Sequence, residues 1–308
     1  MAGRGIIGID WGSTGFRAYR YGEGGAILET RTSVKGIKAV GSDVVDRSGA
    51  FVAILREELG SWLDGDVGVI LMSGMITSRT GWVETPYVAT PATDSDLLSG
   101  AVRRSLDGIE LIYLPGVSAA EPVADVMRGE EVQVFGANLG TKSSLVVLPG
   151  THSKWAHISE GRIESFATFV TGELFDLLRN KSLVGGLAEG DDFHELAFLE
   201  GVDEALEDTP ETGGLVRRLF GARASVLVAG KAPAKISSYL SGLLIGNEIH
   251  EADRMFGAVD RVAIIGSEAL EMRYGLALKH AGITTATGIR DAAARGLYRI
   301  AERLGLVA

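Results

Sequence analysis

Two segments of this chain, Ile7-Gly8-Ile9-Asp10-Trp11-Gly12-Ser13-Thr14 and Leu145-Val146-Val147-Leu148-Pro149-Gly150-Thr151-His152, align without a gap at an offset of 138 residues. Each is an apolar run that ends in glycine followed by a hydroxyl side chain, so Gly12, Ser13 and Thr14 on one side and Gly150, Thr151 and His152 on the other could present N–H and O–H donors to phosphate oxygens. Asp10 stands at the carboxyl end of the first run, where a carboxylate can hold a divalent cation against phosphate. Its counterpart in the second run is Leu148, so one metal ion, Mg2+, would be held by one side only. Lys154, just after the second glycine turn, is the candidate phosphate neutraliser. A third turn, Gly266-Ser267, follows the apolar run Val262 to Ile265 and opens a helical pattern; in a nucleotide site it would lie under the adenosine, where a side chain at the glycine would clash. The five histidines, at 152, 157, 194, 250 and 280, show no metal-ligand spacing, and no acidic residue at a telling spacing orients His152.

The elements that position these groups are strands. After each glycine turn the chain is again extended and aromatic-rich, as Phe16 to Tyr21 and as Lys154 to Ile158, which predicts strand, turn, strand. GxxxxGK[ST] does not occur, and a P-loop or a dinucleotide fold would need a helix directly after its glycine turn, where both of these turns run on into extended segments, so neither fold is expected. Ala26 to Arg31 completes a three-strand meander, Phe51 to Leu63 has helical spacing, and Val67 to Met72 is a continuous apolar run expected of a strand buried on both faces. Leu111 to Leu114 reads as another strand and Glu130 to Leu139 as a helix. The second half repeats the order, with strands at 145–148, 154–158 and 162–169, a helix from Gly172, a loop over 185–192, helices through about Phe256, a buried strand at 262–265 and a last helix from Arg290 to Leu304. The duplication places a domain boundary near residue 140.

A chain of 308 residues with 46% hydrophobic and 23% charged residues has material for two packed domains. Cysteine is absent, which excludes disulfides, thiolate metal sites and a cysteine nucleophile and suits the cytoplasm. Met1 to Gly5 runs straight into the first strand with no signal-peptide pattern, and no apolar run is long enough to cross a bilayer. Net charge is -10 with no basic block, so neither nucleic acid nor membrane is an expected partner, while a homo-oligomer is compatible with the composition.

Ile9 to Thr14 with Arg17-Ala18, then Ser73-Gly74-Met75-Ile76 with Gly81-Trp82, Pro86-Tyr87 and Pro91-Ala92, resembles the 2-dehydro-3-deoxygalactonokinases. Val126-Met127-Arg128-Gly129-Glu130-Glu131-Val132-Gln133, Pro149 to Trp155, Thr171-Gly172-Glu173-Leu174 and Leu240 to Gly246 resemble that family's blocks in the same order, over nearly the whole chain. Val132 departs from the pattern, which usually has Thr there. The resemblance implies an α/β protein of two ribonuclease H-like domains, as in the actin, hexokinase and Hsp70-like superfamily, covering residues 1–140 and 141–308, with the last helix returning to the first domain and a nucleotide cleft between them. It implies transfer of phosphate from ATP, with Mg2+, to the 6-hydroxyl of 2-dehydro-3-deoxy-D-galactonate in galactonate catabolism.

Such a reaction needs a carboxylate to take the hydroxyl proton. The resemblance points to the first-domain group Asp125, Glu130 and Glu131, beside Arg128, whose guanidinium would bind the substrate carboxylate as a fork or hold a catalytic acid. An amphipathic helix start explains Glu130 and Glu131 equally well. Arg79, Trp82 and Glu84 follow the buried strand at 67–72, the end at which open α/β sheets carry ligands, and with Arg17 and Glu173 are the expected contacts of the sugar acid. Other small-molecule kinases and phosphatases of the superfamily, such as acetate kinases and exopolyphosphatases, and a filament-forming or chaperone-like ATPase, are the competing expectations.

Overall fold

The computed structural model describes residues 5–65, 67–140, 142–207, 209, 211, 213–257 and 261–306; Met1 to Arg4, expected to lead into the first strand, lie outside them. The chain divides into two units, one of residues 1–143, 158–166 and 289–308, the other of residues 144–157 and 167–288.

In the first unit, β1 (Gly5–Trp11), β2 (Phe16–Tyr21) and β3 (Ile27–Ser33) form an antiparallel meander, followed by α1 (Arg47–Leu59) and β4 (Val67–Ser73). After β5 (Tyr87–Ala89) and α2 (Asp94–Ser99) come β6 (Val102–Leu106), β7 (Ile109–Tyr113), β8 (Gly116–Ala119), β9 (Asp125–Met127) and α3 (Glu130–Gly136). The main sheet has the order β3-β2-β1-β4-β7-β6, with β1, β4 and β7 parallel. Alternation in β1 sends Ile7, Ile9 and Trp11 to a core shared with Phe51, Leu55 and Leu59 of α1, and burying each such side chain contributes about 1.5–3 kcal/mol. The helix starts earlier than its apolar spacing suggests because the Asp46 carboxylate accepts from the Gly49 N–H at 2.8 Å, an N-cap. The small sheet β5-β8-β9 and the strand β6 had no periodic signal strong enough to be expected.

The remaining elements are β10 (Ser144–Leu148), β11 (Ser153–Ser159), β12 (Arg162–Phe169), α4 (Thr171–Lys181), α5 (Glu195–Leu206), α6 (Leu215–Val228), α7 (Ile236–Phe256), β13 (Arg261–Ile264), α8 (Glu268–His280) and β14 (Thr284–Ala286), which belong to the second unit apart from residues 158–166, the end of β11 and most of β12. The second main sheet has the order β12-β11-β10-β13-β14, with β10, β13 and β14 parallel. This is the order of the first five strands of the other sheet, and the register repeats as well. Ile9 pairs with Met72, and Val147, its equivalent, pairs with Ile264. Leu148 therefore takes the place of Asp10, and Gly266 the place of Gly74.

The last helix, α9 (Ala292–Arg303), belongs to the first unit and covers the second face of its sheet, where the Tyr21 hydroxyl donates to the Ala294 carbonyl at 2.6 Å. Glycines bring helices together in both units: a Cβ on Gly136 of α3 would stand 1.9 Å from the Ala292 carbonyl oxygen, and one on Gly242 of α7 1.9 Å from that of Phe198 in α5. α3 ends at Gly136, three residues before the Leu139 expected, because Asn138 takes a left-handed φ of 49°. Val132 is fully buried and its carbonyl oxygen lies against Gly296 of α9, so an apolar residue suits that position.

Candidate active site

In the first unit the β1–β2 turn closes with the Gly12 N–H donating to the Gly15 carbonyl at 2.9 Å, so the Gly12 amide is spent and Ser13 and Thr14 form the accessible tip. The turn is anchored from outside, since the amides of Ile37 and Lys38 donate to the carbonyls of Gly12 and Ser13, each at 3.0 Å. Asp10 lies opposite Arg17 across the hairpin and against two glycines. A Cβ on Gly74, after β4, would come within 3.2 Å of Asp10 Oδ1, and one on Gly129, before α3, within 3.8 Å. Asp10 retains some solvent contact, yet burial raises its pKa to about 6; Arg17 opposes the shift and Glu130 adds to it. Arg17 in turn bonds Tyr19 and feels both Asp10 and Asp291, the residue preceding α9.

Arg128 is buried, and its guanidinium is occupied by the protein. One amino group faces the Thr77 carbonyl at 2.7 Å, the Thr77 hydroxyl at 2.7 Å and the Thr85 hydroxyl at 2.6 Å; the other donates to the Thr85 carbonyl at 3.2 Å. The plane lies over the Tyr87 ring, 4.2 Å from its centroid. The expected fork for a substrate carboxylate is thus corrected: Arg128 fastens the chain before α3 to the segments after β4. Its backbone N–H donates to Glu130 at 2.9 Å, which orients that carboxylate.

Glu131 is enclosed where Glu130 is not. Its carboxyl is 1% exposed and accepts from the Gly129 N–H at 2.8 and 2.9 Å, and burial pushes its pKa to about 8, with Glu130 adding to the rise. Glu130 is partly exposed and electrostatically coupled to Asp10; Asp125, in β9, accepts from the Val126 N–H at 2.7 Å. Trp82 is part of the core edge and not a free pocket wall: it stacks on Phe51 at 6.2 Å, meets Tyr113 edge-on at 5.7 Å and donates to the Ser48 hydroxyl at 2.9 Å. Arg79 and Glu84 are exposed on the loop that follows β4.

In the second unit, α4 docks on the turn 150–152. A Cβ on Gly172 would stand 2.3 Å from the Gly150 carbonyl oxygen, and the Glu173 N–H donates to the Thr151 carbonyl at 2.9 Å. His152 does have an acidic partner, against expectation: its Nε2 lies 2.6 Å from Glu173 Oε2, a pairing made by the fold across 21 residues of sequence. Lys154, on β11, is 5% exposed, and among the described residues no acceptor or counter-ion meets its ammonium. At Gly266 the protein leaves ordinary room for a Cβ, 3.4 Å from Pro149 Cδ, so any requirement for glycine there comes from a ligand; the Ser267 hydroxyl makes no capping bond to α8.

A family model described as 2-keto-3-deoxy-galactonokinase matches residues 10–300. The chain belongs to that family. It is 36% identical to a Rhizobium meliloti protein named probable 2-dehydro-3-deoxygalactonokinase DgoK1, over 96% of this chain and 95% of the relative, and 34% identical to the 2-dehydro-3-deoxygalactonokinase of Escherichia coli, over 90% of each. A Sinorhizobium meliloti crystal structure named for the same kinase superposes with a TM-score of 0.88 at 34% identity, covering 97% of this chain and 99% of that one. The protein is a sugar-acid kinase of the 2-keto-3-deoxy-galactonokinase family.

Within this kinase, the first-unit group brings together Asp10, Arg17 and Glu130, and the second-unit group brings together Gly150, Thr151, His152 and Glu173. Sequence reasoning missed Tyr19, Asp291, Thr77, Thr85 and Glu248. Glu248 alone left a usable signal, a carboxylate on the same α7 stripe as Ile245, Ile249 and Ala252. No group of three or more His, Cys, Asp or Glu side chains is arranged for a metal among the described residues, so a bound cation would take most of its ligands from phosphate and water. No helix among them is long and apolar enough to cross a membrane.

Proposed function

We propose that this protein transfers the γ-phosphoryl group of ATP to the terminal 6-hydroxyl of 2-dehydro-3-deoxy-D-galactonate, a step of galactonate catabolism. The observation that carries the phosphate assignment is Lys154, whose side chain is 5% exposed beside a glycine turn and whose charge no described protein group neutralises. An ammonium held next to a phosphate-binding turn with no protein counter-ion is free to pair with a phosphate oxygen. The family relationship supplies the acceptor.

The donors of Ser13 and Thr14 in one unit, and of Gly150, Thr151 and His152 in the other, take phosphate oxygens. His152 is oriented for this by Glu173. The Gly266-Ser267 turn receives the nucleoside, and Arg17, Arg79 and Glu84 are the sugar-acid contacts. Asp10 would hold Mg2+; the glycines at 74 and 129 leave its oxygen approachable, and a cation there would oppose the rise that burial gives its pKa. The ion supplies charge neutralisation on the phosphates. Glu130, partly exposed and held by the Arg128 amide, accepts the proton that leaves the 6-hydroxyl. The protein's own contribution is otherwise positioning and electrostatics.

A coupled ADP-release assay with 2-dehydro-3-deoxy-D-galactonate and its gluconate epimer tests this. Release stimulated by the galactonate compound with the higher kcat/KM supports the proposal. Release indifferent to either sugar acid overturns it.

A further inference from the structure

Under the second phosphate turn lies a polar cluster that the proposed chemistry does not use. Glu248 of α7 is 1% exposed, and its partners among the described residues are side chains from other elements. Trp155 Nε1 of β11 donates to Oε1 at 2.7 Å, the Tyr274 hydroxyl of α8 donates to Oε2 at 2.8 Å, and the Thr171 hydroxyl of α4 donates to the same oxygen. Ser153 Oγ completes the chain, 2.8 Å from the Tyr274 hydroxyl.

Two members of this cluster bracket the glycine turn. Ser153 is the first residue of β11 and directly follows His152, while Thr171 is the first residue of α4, whose Gly172 and Glu173 rest on Gly150 and Thr151. The turn is therefore held between two points fixed by one carboxylate. Replacing a buried charged network by apolar residues of the same volume is often neutral or stabilising, so stability alone gives little reason for a carboxylate here. A fully bonded network does give a unique geometry.

We infer that Glu248 is a positioning residue for ATP: through Tyr274 to Ser153, and directly to Thr171, it sets the spacing of Gly150, Thr151 and His152 against the phosphates without touching the nucleotide. This rests on the assignment of that turn to ATP made above. Tyr274→Phe removes the hydroxyl that joins Ser153 to Glu248 while keeping the ring, Glu248→Leu removes the acceptor, and Glu248→Gln keeps shape and one acceptor oxygen.

The test is calorimetric titration of each folded variant with ADP, alongside KM for ATP and for the sugar acid. Tyr274→Phe and Glu248→Leu should raise the ADP Kd and the ATP KM by about fivefold or more, with the sugar-acid KM unchanged within about twofold, and Glu248→Gln should restore most of the affinity. A purely structural role would lower the melting temperature and leave the Kd of the folded fraction unchanged, and that result overturns the inference. If Glu248→Leu does not fold, Tyr274→Phe decides by the same criterion. Parent protein that fails to bind ADP would overturn the nucleotide assignment itself, whereas parent and variants that bind equally overturn only the role of Glu248.

Discussion

Gly74 and Gly129 meet beside the Asp10 carboxylate: a Cβ on Gly129 would stand 3.1 Å from Gly74 Cα, and Gly129 holds a φ of 111°. The two chain segments that deliver Glu130 and the end of β4 can approach Asp10 only because neither carries a side chain there. Gly129→Ala introduces backbone strain of about 1–3 kcal/mol and pushes α3 from Asp10. Its kcat should fall by roughly tenfold or more and its melting temperature by several degrees; an unaltered kcat would show that the close approach serves packing alone.

Asp10→Asn removes the charge proposed to face the cation. The variant should need a higher Mg2+ concentration for half-maximal rate and lose kcat by about 10²-fold or more. A normal Mg2+ titration removes Asp10 from the metal role.

Lys154→Met separates binding from stability. Removing a charge with no described protein partner should leave the melting temperature equal or higher, while the ATP KM rises by about tenfold or more. A large loss of stability with unchanged ATP KM would make Lys154 a structural residue.

Arg128→Lys keeps the charge but cannot bridge Thr77 and Thr85 together as the guanidinium does. Stability and kcat should fall, and KM for the sugar acid should stay within about threefold of the parent. A selective rise in that KM would restore the substrate fork that the structure argues against.

Glu131 and Glu248 both have folded pKa values above the ordinary carboxylate value of 4.5, at about 8 and about 7, because burial disfavours their charged forms. The folded protein therefore holds these protons more tightly than the unfolded chain. Their contribution is whole below about pH 4.5 and is lost as pH rises through 7 and then 8. Melting temperature should decline between pH 6 and pH 9, and Glu131→Gln should flatten that decline at little cost in activity at pH 7. A steeper decline in the variant would contradict a neutral Glu131.

The glycine turns and their flanking strands were legible because strand, turn and strand are local, and because the same pattern occurs twice. Lys154 could be singled out by its place next to the second turn, but not the near-burial of its side chain. What the local pattern could not contain is which groups meet. Glu173 reaches His152 only because Gly172 lets α4 settle on the turn, and Arg128 faces Thr77 and Thr85 rather than solvent only because β9 returns to the segments after β4. Glu130 and Glu131 are indistinguishable as neighbours in sequence, and only the fold separates the partly exposed carboxylate from the buried one.

The most direct measurement is phosphorus NMR of ATP, Mg2+ and 2-dehydro-3-deoxy-D-galactonate incubated with the parent protein and with Glu130→Gln. A new phosphomonoester signal should grow in step with ADP for the parent and be slower by about 10²-fold in the variant. Inorganic phosphate as the sole product, or an ester formed by Glu130→Gln at the parent's rate, would contradict the proposed chemistry.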